Sequence, residues 1–66
     1  MFRILRSTND VVLQQYNNTM GWVPIAKGNE IKYDSQSPMI MIYNNGIIVA
    51  VTSILTCPII YPETSL

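Results

Sequence analysis

The chain has no histidine and a single cysteine, Cys57, in 66 residues. Without imidazole and with one thiol, the usual ligand sets for zinc or iron cannot be assembled, and an internal disulfide is excluded. Charge is scarce too. Four Lys/Arg and four Asp/Glu make up 12% of the residues and cancel to a net charge of zero, about half the usual charged share. The four carboxylates are spread along the chain, and no acidic run resembles a calcium loop. Three glycines, Gly21, Gly28 and Gly46, lie too far apart to build a phosphate-cradling loop. No cofactor and no metal is expected.

Catalytic machinery is also missing. Glu30 and Asp34 are the nearest carboxylates, but on one strand they lie about 13 Å apart with Lys32 between them, too far to share a proton. They read as a solvated charged face. Cys57 has no histidine to activate it and precedes Pro58 in an apolar stretch, so a buried, inert thiol is expected. None of the five serines sits in a Gly-x-Ser-x-Gly elbow. No catalytic residue is assigned, and enzymatic activity is not expected.

Met1 to Arg6 begins like the positive head of a secretory signal but runs into Ser7-Thr8-Asn9-Asp10 with no apolar stretch behind it. The expected location is cytoplasmic or virion-associated. From Ser35 to Pro62 there are 28 residues without a charged side chain, which raises the question of a membrane span. A spanning helix needs about 20 apolar residues, and Asn44-Asn45-Gly46 breaks the run near its front. The flanking charges are one Asp34 and one Glu63, with no basic cluster to fix an orientation. A strand pair buried on both faces accounts for the same residues.

What the chain does have is β-branched residues, with ten Ile, five Val and five Thr, and turn signals at steady intervals. These are Ser7–Asp10, Asn17-Asn18-Thr19, Lys27-Gly28-Asn29, Ser35–Pro38, Asn44-Asn45-Gly46 and Thr56-Cys57-Pro58. Spacing of roughly 8 to 12 residues is the signature of a small all-β sandwich or barrel. Five to six short antiparallel strands are expected, in one domain over residues 1–66. Residues 8–17 read either as a strand following Phe2–Arg6 or as a short helix capped by Ser7. The β-branched pair and the Asn-Asn end favour the strand. The segment from Glu30 to Asp34 alternates as a half-exposed strand. Ile59-Ile60-Tyr61 follows Pro58, which cannot donate to a ladder, and so reads as an edge strand or terminal arm.

The clearest local feature is a hairpin. Met39 to Tyr43 meets Ile47 to Val51 across Asn-Gly, two residues that tolerate the positive φ of a type I′ turn. Alternation puts Ile40 and Ile42 on one side and Met39, Met41 and Tyr43 on the other. The partner strand opposes Ile47, Val49 and Val51 to Ile48, Ala50 and Ile54. Both faces are therefore apolar, and a chain this short covers one face of a sheet far more readily than two. A chain this small buries only about 60% of its unfolded surface, and with disulfide and metal excluded, self-association or docking is the stabilising device left.

The sequence reading is thus a non-enzymatic assembly or interaction protein. Its expected interface residues are Met39, Ile40, Met41, Ile42, Tyr43, Ile47, Val49, Val51 and Trp22. Protein is the expected partner, as a homo-oligomer or a larger assembly, such as a virion component or a phage protein that occludes a host factor. Ile42→Glu or Val49→Glu is expected to break the assembly, and Lys32→Ala to leave it intact. Single-stranded nucleic acid is the alternative partner. Arg3, Arg6, Lys27 and Lys32 with Trp22, Tyr16 and Tyr33 could form a basic stacking surface only by converging on folding, and net charge zero gives no long-range pull toward phosphate.

Overall fold

A computed structural model describes residues 1–60 of the chain. It is all-β, with seven strands. These are β1 (Phe2–Arg6), β2 (Val11–Asn17), β3 (Gly21–Gly28), β4 (Glu30–Tyr33), β5 (Met39–Asn44), β6 (Ile47–Ser53) and β7 (Ile59–Ile60). They form a four-stranded sheet in the order β3-β2-β1-β7 and a three-stranded sheet in the order β4-β5-β6. No helix forms over residues 8–17; β2 occupies that stretch as the β-branched Val11-Val12 pair favours.

The core lies between the sheets. Ile4, Val11 and Leu13 from the first sheet meet Ile31, Ile40 and Ile42 from the second, and Cys57 is buried among them. Each set follows strand alternation, since Ile4 pairs with Leu13 and Ile31 with Ile42 in register. Phe2, Ala26, Ala50 and Ile59 close the rim of this cluster.

Turn chemistry sets the register. At the β5–β6 hairpin, Asn45 has φ 52° and Gly46 φ 84°, the pair of left-handed residues a type I′ turn requires. Asn29 braces this turn from outside: its amide donates to Asn45 Oδ1 at 2.9 Å, and its own Oδ1 accepts from the Asn45 N–H at 3.1 Å. Between β2 and β3, Asn17 Oδ1 accepts from the Thr19 and Met20 N–H groups at 2.8 and 3.1 Å, and Gly21 exits at φ 76°. Asp34 ends β4 in the same manner, its Oδ1 accepting from the Gln36 N–H at 2.9 Å.

Two features correct the sequence reading. Among the described residues there are seven strands where five to six were expected, and one pairing is parallel: β7 lies beside β1, Ile4 against Ile59 and Leu5 against Ile60. Pro58 cannot donate, but its carbonyl accepts from the Ile4 N–H at 2.9 Å, and the burial of Cys57 draws this segment alongside β1. Tyr61, the last residue of the expected arm, and the flanking Pro62 and Glu63 lie outside the described residues. The second correction is a β-bulge. Ile42 pairs with Ala50 but Tyr43 pairs with Ile48, leaving Val49 as an extra residue in β6.

Candidate interaction surface

The expected interface residues separate into three groups. Ile40 and Ile42 are 0% exposed, because the first sheet covers the inner face of β5. They are core residues of the chain itself, so Ile42→Glu would act through folding. Met39, Met41 and Tyr43 take the opposite, outward face of the same strand. In register, Val51 lies beside Met41 and Ile48 beside Tyr43, so both extend that outer face. Ile47 sits at the exposed end of the hairpin.

Together with Ile47, which pairs with Asn44 on the Ile42 side, Ile48 was misplaced by sequence alternation. Strict alternation sets it opposite Val49 and Val51. The extra residue at the bulge resets the count, and Ile48 joins the Tyr43 side. Met39, Ile48, Val49 and Val51 are 41% to 51% exposed, so four large apolar side chains stand in water along one hairpin.

The rim of this face is ordered and charged on one side only. Lys32 of β4 sits beside Met41 in register, and its Nζ lies 5.0 Å from the centre of the Tyr43 ring. The Tyr43 hydroxyl points along the strand to Met41 Sδ at 3.8 Å. Glu30 pairs with Tyr43 from the same edge strand. Across β5 and β6 no side chain carries a charge. The result is an apolar centre bounded by β4's charges.

Trp22 lies on the other sheet and does not join the hairpin surface. Pairing sets Tyr16 beside Trp22, Arg3 beside Gln14, and Val12 beside Lys27 on one outward face. The Tyr16 and Trp22 rings meet edge to face with centroids 5.4 Å apart. The Arg3 guanidinium covers Trp22 at 4.1 Å from the ring centre while its Nε donates to Gln14 Oε1 at 2.7 Å. Lys27 reaches Asp10 at 3.9 Å, a loose and exposed pair that adds little. Lys32 belongs to the other sheet, so the basic residues weighed for nucleic acid do not all converge.

Cys57 is fully buried. Burial pushes its thiol above the ordinary range, and a hydrogen bond with Thr52 offsets part of that rise. The thiol therefore stays protonated and walled off, as an inert core group. Among the described residues no group of three or more His, Cys, Asp or Glu gathers, and no pocket opens. No helix among them is long and apolar enough to cross a membrane; the charge-free stretch forms β5, β6 and β7 instead. Compared with protein-family models, curated proteins and solved structures, the chain matches none.

Proposed function

We propose that the protein is a non-enzymatic interaction subunit, attached to its assembly through the outer face of the β4-β5-β6 sheet. One observation carries the reading: the inner face of this sheet already serves as the core, yet the outer face is also apolar, uncharged across β5 and β6, and half exposed. A patch of this kind on so small a chain marks a contact surface. The two methionines supply side chains that adapt to a partner's contour. A virion accessory subunit and a small phage protein that occludes a host factor would both bind in this way.

The test is light scattering after size-exclusion chromatography, in plain buffer, on the wild type and three variants. Met41→Glu and Val51→Glu are expected to reduce the assembled mass, and Lys32→Ala, on the charged rim, to leave it unchanged. If both glutamate variants stay folded and keep the wild-type mass, the outer face is not the contact.

A second reading draws on the cluster of Arg3, Tyr16 and Trp22 with Lys27 nearby. Aromatics beside a cation suit the stacking of unpaired bases. Quenching of Trp22 fluorescence by a generic single-stranded oligonucleotide, weakening with salt and lost in Arg3→Ala, would support it. No quenching at low salt would remove it.

A further inference from the structure

We propose that the chain also meets a second copy of itself at the open edge of this sheet, by antiparallel pairing of β6 with its symmetry mate into one continuous six-stranded sheet. The proposal rests on the reading above of the protein as an interaction subunit and adds a contact at the β6 edge, which leaves the outer face open on both copies.

The argument begins with the four sheet edges. Exposed edges are ordinarily blunted by charge, proline, shortness or bulging. β3 carries Pro24 and Lys27 and a register shift beside them. β4 has four residues, among them Glu30 and Lys32, and β7 has two. β6 is different. It has seven residues, with neither charge nor proline, and among the described residues only β5 pairs with it. Its bulge lies toward the hairpin end, which leaves Val51 to Ser53 regular.

Backbone direction identifies the groups left over. The Ile54 N–H donates to the Pro38 carbonyl at 2.8 Å, and the ladder repeats every two residues. Thr52 therefore faces β5, while the N–H groups of Val51 and Ser53 face the open edge. The Ser53 carbonyl on that edge accepts from the Thr56 N–H at 3.2 Å, which caps the far end. Among the described residues nothing pairs with the Val51 N–H and carbonyl, which stand between as a donor–acceptor pair.

A two-fold axis at Val51 satisfies both. Each Val51 would donate to and accept from the other, and the strands would run antiparallel, as a closed two-fold interface requires. The same register brings Leu55 of one copy toward Ile47 of the other. These are 80% and 69% exposed, among the most exposed apolar side chains on the chain. With Ile48, Val49 and Ile54, 41% to 50% exposed, they line the same edge with apolar side chains. Nothing in the strand repels its own copy, because no residue from 35 to 62 is charged.

The experiment combines light scattering with amide hydrogen exchange on the wild type at two concentrations, and light scattering on Val51→Pro, which deletes the central edge donor. The expected result is a mass of twice the chain, Val51 and Ser53 amides whose protection rises with concentration, and a Val51→Pro variant that keeps its β circular dichroism at single-chain mass. A dimer whose Val51 amide exchanges equally fast at both concentrations, or a folded Val51→Pro variant that still dimerises, overturns edge pairing and leaves the outer-face reading standing. A wild type of single-chain mass throughout excludes the second copy. If Val51→Pro does not fold, the wild-type exchange data decide alone.

Discussion

Gly28 is where the chain passes from one sheet to the other, and its lack of a side chain is a packing requirement. A Cβ there would collide with the Tyr43 carbonyl and come within 2.8 Å of Ile42 Cγ2. Its φ is unremarkable, so the constraint is space and not backbone freedom. Neither neighbour yields easily, since one is backbone and the other a fully buried side chain. Gly28→Ala is expected to cost about 1–3 kcal/mol, read as a lowered midpoint in chemical denaturation with the β spectrum retained. The sequence marks residue 28 as a turn, which is close to its role. The reason for glycine was not legible, because it lies in a carbonyl 15 positions along the chain. Cys57 was legible in full: an apolar setting and no activating base imply a buried thiol, and that is its state.

At the scale of the element, the β5–β6 hairpin shows what local chemistry can and cannot specify. Asn-Gly named the turn type, because few residues tolerate two successive positive φ values. Gly46 holds φ 84° with open space around it, so a substitution there strains the backbone without a clash. Gly46→Ala is therefore expected to cost about 1 kcal/mol and to lower the melting temperature by several degrees, with no loss of the two-sheet spectrum. The inward set of Ile40 and Ile42 was equally plain from alternation. The bulge was not. Ile47-Ile48-Val49-Ala50-Val51 is apolar at nearly every position, so a slip of one residue leaves no trace in the pattern. That silence moved Ile48 to the wrong side in the sequence reading.

For the molecule as a whole, the two faces of one sheet carry opposite consequences. Ile42→Glu would bury a carboxylate with no partner between the sheets and is expected to unfold the chain, seen as loss of the cooperative thermal transition. The same change at Val51, on the outer face, should leave that transition in place. The all-β class followed from β-branched content and turn spacing, as did the separation of strands along the chain. The division into sheets of four and three, and the parallel contact of β7, did not. The place of β7 depends on Pro58 meeting Ile4 from across the sequence, and no local pattern encodes a pairing of that range.

That last contact also fixes how the fold would carry tension. Because β1 and β7 run parallel, the entry to one and the exit from the other lie at opposite ends of the pair. Force applied along the chain at Phe2 and Ile60 would slide the two strands past each other, loading their bonds together and not one at a time. The hairpins between them are shielded until that short clasp gives way.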